Sequence, residues 1–310
     1  MAEAIEAMGS AFAELSSGRA VVPQRLTMEM PPQNSRSLVM PVYSSATKQY
    51  AVKVVTLAGN NPARNLPFIH GLLMVFDSDT GVPLAILDAE YTTAFRTGAA
   101  SGLATDLLAR RDANIAMVFG AGTQARTQLE GVAAVRHLER AMVFSPDRTA
   151  VARFCELMKS KLGFDVDPAD SPSKVAEADI VCTATTSEAP VFRDEDLKPG
   201  THINGIGSYK PSMREIPSRT VKRSKLVVDS RTSALAEAGD LTMAIKEGEI
   251  TNDHIYAELG ELVLGAKEAR TNAAEITVFK SVGNAAQDLA VASRILDKSM
   301  HADIGTVIAI

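Results

Sequence analysis

Residues 118–125 read Val-Phe-Gly-Ala-Gly-Thr-Gln-Ala, a G-x-G-x-x-A turn that follows a short apolar run at 115–119 and opens a helical stretch. That context is what a phosphate-binding turn requires. Gly120 permits the tight turn, Gly122 lets the backbone approach a pyrophosphate, and Ala125 keeps the third position small for close helix–strand packing. The free N–H groups at the start of the helix then face the phosphates. An ordinary strand-to-helix connection shares the pattern, so the surroundings decide. Apolar strands are predicted at 115–119, 141–144, 180–184, 202–206 and 225–228, with helical patterns between several of them. Alternating strands and helices with continuously apolar strands imply a parallel sheet covered on both faces.

The expected class is therefore α/β, with a Rossmann-type doubly wound parallel sheet over residues 109–283. The chain on either side has a different texture. Ile5, Met8, Phe12 and Leu15 fall on one face of a helix over 2–17, with Gly18 as its stop. Short β-prone runs at 37–42, 50–57, 71–76 and 83–88 are punctuated by Pro, Gly and Asn, and Asp79-Thr80-Gly81 reads as a hairpin turn. That predicts a mostly antiparallel sheet, left by an Ala- and Leu-rich helix at 92–108. An amphipathic helix at 284–298 should return to pack on it. Residues 1–108 and 284–310 would then form a second, α+β domain into which the first is inserted.

Composition narrows the function. The chain has 310 residues, 32 Lys+Arg and 37 Asp+Glu, for a net charge of −5. With no block of basic residues, nucleic acid and anionic membrane are poor partners. No apolar run reaches the roughly 18 residues that cross a bilayer, and residues 1–18 lack the basic start of a signal peptide. Cys155 and Cys182 sit in no metal-like spacing and read as buried thiols, which fits a reducing, cytoplasmic setting. The five histidines show no ligand spacing, so no metal is expected. His70 reads as a hydrogen-bonded structural residue and His202, at a strand start, as a backbone-bonding one.

The first part of the chain places cations in apolar or turn settings: Arg25 in VPQRLTMEM, Lys53 in AVKVVTL, Arg64 in NNPARNLP and Arg96 in TTAFRTGAASG. A lysine inside an apolar strand should lie at an edge or point into a cleft, because burying it unpaired is costly. Four such residues beside a nucleotide-binding domain suggest a carboxylate pocket with charge-assisted hydrogen bonds. On the nucleotide side, the second strand ends at Phe144-Ser145-Pro146, where an acid would select the ribose 2′-hydroxyl of NAD. The acid comes two residues late, at Asp147, while Arg148 and Arg126 could reach a 2′-phosphate. The cofactor is thus NADP or NAD, with a lean to NADP.

These segments resemble the ornithine cyclodeaminase/mu-crystallin family, in its ketimine reductase or alanine dehydrogenase-like branch. The likeness runs through the Arg25 segment, the Lys53 strand, DSDTGVPLAILDAEYTTAFRTGAASGLA, GAGTQARTQLEG, ADIVCTATTS, GTHINGIGSYKPSMREI, VVDSRTSALAEAGDL and FKSVGNAAQDLA. The resemblance implies a Rossmann domain plus a substrate-binding and dimerisation domain, and hence a homodimer. It implies that Arg25 and Arg96 hold a substrate α-carboxylate, with Arg96 also touching the cofactor. Lys53 would lie nearest the reacting carbon and nitrogen, and Arg64 matches a substrate-contacting arginine of the alanine dehydrogenase branch. For the cofactor it implies Thr123 and Gln124 at the pyrophosphate turn beside Gly120, Gly122 and Ala125. Ser145 and Arg148 fall at the ribose and Thr183 at the end of a strand. Ile203, Asn204, Gly205 and Ile206 would line the nicotinamide, with Ser281 and Val282 closing the cleft.

One departure is informative. In ornithine cyclodeaminases an aspartate stands two residues before the proline matching Pro211, and a lysine follows it; here those positions are Tyr209 and Met213. Neither replaces a titrating acid–lysine pair. The reading is an oxidoreductase that reduces the C=N bond of a cyclic ketimine carboxylate, such as Δ1-pyrroline-2-carboxylate or Δ1-piperideine-2-carboxylate, to L-proline or L-pipecolate. Lys53 is the candidate acid; its other possible role is carboxylate binding alone. The alternatives are an ornithine or lysine cyclodeaminase, an alanine dehydrogenase-like enzyme, and, against the four cations, a non-enzymatic binding protein of the mu-crystallin type.

Overall fold

The computed structural model describes residues 1–302 and 304–308. Helix α1 (Ala2–Ser16) leads into an antiparallel sheet of β1 (Ala20–Val21), β2 (Leu26–Met30), β3 (Ser35–Ser44), β4 (Gln49–Ala58), β5 (Ile69–Asp77) and β6 (Pro83–Asp88), ordered β1-β3-β4-β5-β6 with β2 also on β3. The four strands predicted here are β3 to β6. The β5–β6 turn is the expected one: Asp77 Oδ1 accepts from Thr80 N at 2.8 Å, and Gly81 adopts a positive φ of 76°.

Helix α2 (Ala89–Leu108) is capped by Asp88, whose side chain accepts from Tyr91 N at 3.0 Å. Its Ala/Gly/Thr composition leaves almost no amphipathic stripe, because it is buried on most sides. Gly98 and Gly131 let α2 and α3 (Thr123–Ala133) meet backbone to backbone, since a methyl group on either would run into the other helix. Through this contact α2 joins the two sheets.

The second sheet comprises β7 (Ile115–Phe119), β8 (Arg140–Phe144), β9 (Asp165–Pro168), β10 (Ile180–Thr183), β11 (His202–Gly205), β12 (Lys225–Val228), β13 (Ala257–Glu258) and β14 (Thr277–Lys280). All pairings are parallel, in the order β13-β12-β14-β11-β10-β7-β8-β9. The five predicted strands are β7, β8, β10, β11 and β12. Helices α3, α4 (Arg148–Leu162), α5 (Ser218–Arg223), α6 (Arg231–Glu237), α7 (Gly239–Lys246) and α8 (Leu259–Val263) complete this part. Separate apolar clusters fill its two faces, one around Met117, Val181 and Ile203, the other around Val118, Leu129 and Cys182. The order reverses at β7, so the crevice beyond the carboxyl ends of β7 and β10 is where such a sheet receives a ligand.

Helix α9 (Ala285–Ala302) turns back onto the antiparallel sheet, where Ala285, Ala286, Leu289 and Ala292 pack with Leu38, Met40, Ala51 and Leu73. Among the described residues no helix is long and apolar enough to cross a membrane. Both cysteines are buried and free, and burial pushes the Cys155 thiol up to about 11 and Cys182 to about 12. Two histidine expectations need correction. His70 is exposed on β5, and its ring makes no hydrogen bond among the described residues. His202 is fully buried, and its ring pairs with side chains, Thr277 Oγ1 at 2.9 Å and Asn204 Oδ1 at 3.2 Å. Burial and Arg270 push it down to about 3, so it stays neutral.

Candidate active site

Lys53 is not on an edge. β4 lies between β3 and β5, and Lys53 faces inward with Ala51 and Val55. Its Nζ donates to Asp288 Oδ2 at 2.6 Å, while Arg96 Nε donates to Asp288 Oδ1 at 3.0 Å. Arg96 also donates through Nη1 to Gln287 Oε1. Lys53, Arg96 and Asp288 come from β4, α2 and the first turns of α9, and all three are buried. Burial lowers the Lys53 ammonium to about 8; Asp288 opposes that, while Arg96 and Arg25 add to it. Burial pushes Asp288 up, but Arg96 and Lys53 outweigh it and hold its carboxyl below the usual range.

Arg25, between β1 and β2, reaches the junction of β14 and α9. Its Nη2 donates to Gly283 O at 2.5 Å and Val282 O at 3.3 Å, and pairs with Glu237 at 3.2 Å. A methyl group on Gly283 would stand 2.7 Å from Arg96 Nη1, so Arg25 and Arg96 approach the same few backbone atoms from different sides. Asp229 shapes this junction, accepting from Ser281 Oγ, Val282 N and Gly283 N at 2.7, 2.9 and 2.7 Å. Arg25 has its own acid in Glu237, whereas Lys53 and Arg96 share the single carboxylate of Asp288, so that trio holds two cations against one anion. Arg64 is not part of it: the residue is exposed in a short helical turn, Pro62–Arg64, and makes no ion pair among the described residues.

The nucleotide-side residues lie along the carboxyl ends of the parallel strands. Gly120 adopts φ +106°, and a Cβ there would lie 2.5 Å from Ala184 O, so the turn passes against the end of β10. Gly122 is the N-cap of α3 and supplies no side-chain cap, and nothing stands within 4 Å of where its Cβ would be. Thr123 and Gln124 begin the helix, and Ala125 is fully buried beneath it. Uncapped helix amides beside open space fit a pyrophosphate.

Ser145 follows β8 and brings no carboxylate there. Asp147 is instead the N-cap of α4, accepting from Ala150 N at 2.9 Å. Arg148 stacks on Phe144 and donates to Ala169 O and Asp170 O at 2.7 and 3.1 Å, whereas Arg126 Nε is buried without a partner. Thr183 Oγ1 is used by Glu215, and Ser281 Oγ by Asp229. Ile203 packs in the sheet core and Asn204 donates to Thr105 Oγ1 at 2.9 Å, so these two side chains serve the fold, while Gly205 and Ile206 reach the end of β11.

Sequence reasoning missed Asp288, Glu237, Asp229 and Glu215. For Asp288 a signal existed: GNAAQDLAVA sets one acid in an otherwise apolar helical stretch, the same anomaly that marks Lys53.

The model of the ornithine cyclodeaminase/mu-crystallin family matches residues 1–303. The chain belongs to this family. A Delta(1)-pyrroline-2-carboxylate reductase of Bacillus cereus is 37% identical over 310 residues, covering 99% of this chain and 95% of that protein. The Thermococcus litoralis Delta(1)-pyrroline-2-carboxylate reductase, solved with NADH and L-proline, superposes with a TM-score of 0.96 at 42% identity, covering 99% of this chain and 96% of that one. An archaeal alanine dehydrogenase dimer with bound NAD gives a TM-score of 0.94 at 31% identity, covering 100% and 95%.

Proposed function

We propose that this chain is an NAD(P)H-dependent reductase of cyclic ketimine carboxylates that converts Δ1-pyrroline-2-carboxylate to L-proline, and Δ1-piperideine-2-carboxylate to L-pipecolate. The observation that carries the reading is the buried Lys53–Asp288–Arg96 cluster. In it two cations share one carboxylate, and the positive charge left over is what a substrate carboxylate would meet. A monocarboxylate imino acid supplies that anion.

A nicotinamide cofactor, when bound, supplies the hydride. The chain's residues do the rest. Arg25 and Arg96 each keep guanidinium N–H groups not used by their protein partners, and these grip the carboxylate. Lys53, lowered to about 8, is poised to hand a proton to the ring nitrogen as the adjacent carbon becomes saturated, and to regain it from solvent. Asp288 keeps Lys53 in place and shares the charge. Fixing carboxylate and imine carbon in one orientation removes much of the entropic part of the barrier.

Gly120, Gly122, Thr123, Gln124 and Ala125 would hold the pyrophosphate. With Ser145 following β8, a 2′-phosphate meets no carboxylate from that position, so NADPH is accepted alongside NADH. We further propose that residues 1–108 and 284–310 form the substrate-binding and dimerisation domain, 109–283 the dinucleotide domain, and that the enzyme is a homodimer. A cyclodeaminase role is disfavoured by Tyr209, whose hydroxyl is pushed up by burial, and by the buried, non-titrating Met213.

The test is NADH and NADPH oxidation by purified protein with pyrroline-2-carboxylate, piperideine-2-carboxylate, and pyruvate plus ammonia. Turnover confined to pyruvate plus ammonia would replace this reading with an alanine dehydrogenase.

A further inference from the structure

A second buried carboxylate lies outside the cation cluster. Glu215 is fully buried in the segment that leaves β11, and its carboxylate folds back to the root of that segment. Oε2 accepts from Thr183 Oγ1 at 2.8 Å, Gly207 N at 2.7 Å and Ser208 N at 3.1 Å, and Oε1 accepts from Thr185 N at 2.6 Å. Thr183 ends β10 and Thr185 follows it, while Gly207 and Ser208 follow β11. Glu215 is anchored in turn. Its own N–H and that of Ile216 donate to Asp240 Oδ1 at 2.7 and 2.9 Å, and Asp240 Oδ2 lies 3.0 Å from Lys280 Nζ at the end of β14.

Such a group has a price in stability, because buried ionic networks are often matched or bettered by apolar packing of the same volume. With four donors on two oxygens it has little capacity left for a substrate, and no route to solvent as an acid or base. What it controls is the separation of two adjacent turns at the carboxyl edge of the sheet, beside the crevice at β7 and β10. There, a displacement of about 1 Å in a reacting group can cost about a hundredfold in rate.

We propose that Glu215 is a positioning residue for hydride transfer: its carboxylate staples the turn after β10 to the turn after β11 and so fixes the floor against which the nicotinamide is held. The proposal rests on the reductase reading above. It needs no contact between Glu215 and either ligand.

The decisive variant is Glu215→Gln in the full-length protein. Its amide oxygen can take the three donors of Oε2, but the NH2 group then confronts Thr185 N–H, releasing the β10 turn alone. Backbone hydrogen exchange in residues 184–187 should rise at least about tenfold, with exchange in β7 and β14 unchanged. NADH affinity by fluorescence titration should stay within about threefold. The kcat with pyrroline-2-carboxylate should fall about ten- to a hundredfold, with a larger primary isotope effect from NADH deuterated at the transferred position. Thr183→Val, which removes one tie and buries no amide against a donor, should move the same readouts less and serves if the Gln variant does not fold. Unchanged exchange would overturn the staple. Raised exchange with wild-type kcat and isotope effect would overturn the positioning role. A wild-type protein that reduces no cyclic ketimine fails the reductase reading instead, and the exchange measurement separates the two results.

Discussion

The Lys53 ammonium lies 2.6 Å from the Asp288 carboxylate with neither side chain more than 2% exposed. Because Asp288 also takes Arg96, one carboxylate serves two cations, and the site keeps a positive charge that folding alone does not neutralise. That arrangement disfavours the empty site and favours whatever anion completes it.

The first prediction concerns pH. If Lys53 gives up the proton, kcat/KM for pyrroline-2-carboxylate should fall as pH rises through about 8, the value to which burial lowers it. Asp288→Asn removes the one nearby group that raises it, leaving Arg96 and Arg25 to push it lower. The alkaline limb should then move to lower pH, by at least about one unit. Stability should show the matching linkage. Between about 8 and the ordinary lysine value of 10.5 the unfolded chain carries a proton that the folded chain lacks, so this group makes the protein more stable as pH rises through that window. A limb that stays in place in the Asn variant would remove Lys53 from proton transfer.

Arg25 and Arg96 should separate by their protein partners. A charge-assisted hydrogen bond is worth about 1.5–3 kcal/mol, or roughly ten- to a hundredfold. Arg25→Ala should raise KM for the ketimine by that factor and leave kcat within about threefold. Arg96→Ala should cost more and lower the melting temperature further, because the Asp288 it leaves behind is fully buried, whereas Glu237, left behind by Arg25→Ala, keeps some exposure. Arg25→Lys should not restore wild-type KM, since an ammonium cannot reproduce the planar grip. Steady-state kinetics with thermal melts on the three variants decides this.

The nicotinamide preference turns on Ser145. Ser145→Asp places a carboxylate at the end of β8, where it would repel a 2′-phosphate and accept from a 2′-hydroxyl. KM for NADPH should rise about tenfold or more while KM for NADH stays level or falls. Equal changes for both cofactors would mean that position 145 does not see the ribose.

Much of this was legible in the chain, for definite reasons. β7, β8, β10, β11 and β12 are continuous apolar runs because both faces of their sheet are covered. β9 was not legible, since DVDP buries only Val166; nor was β13, two residues long, or β14, whose run ends in the buried Lys280. Lys53 stood out as a charge in an apolar strand. Asp288 carries the same kind of anomaly on α9, but that the two form a pair was not legible, because they lie 235 residues apart and meet only once α9 has returned to the sheet. The same holds for Glu215: a carboxylate used by backbone N–H groups leaves no pattern in side-chain chemistry.

The last prediction follows from the other face of the antiparallel sheet. Residues paired across neighbouring strands share a face, and Val39, Val54 and Leu72 form one such row, which ends on Asp88 of β6, while Pro41, Val52, Met74 and Ile86 form the next. These side chains point away from α9, yet all but Asp88 are apolar, and Leu72 and Ile86 are each 54% exposed. A sheet that alternated apolar and polar would be complete as it stands; one apolar on both faces calls for a second cover. If a second copy of this chain supplies it, light scattering should give twice the chain mass of 32.9 kDa. Leu72→Glu combined with Ile86→Glu would set like charges against each other across that contact and should yield monomer at micromolar concentration, with circular dichroism unchanged. A wild-type protein that runs as a monomer would leave this face without the proposed occupant, and a double variant that stays dimeric would place the contact elsewhere.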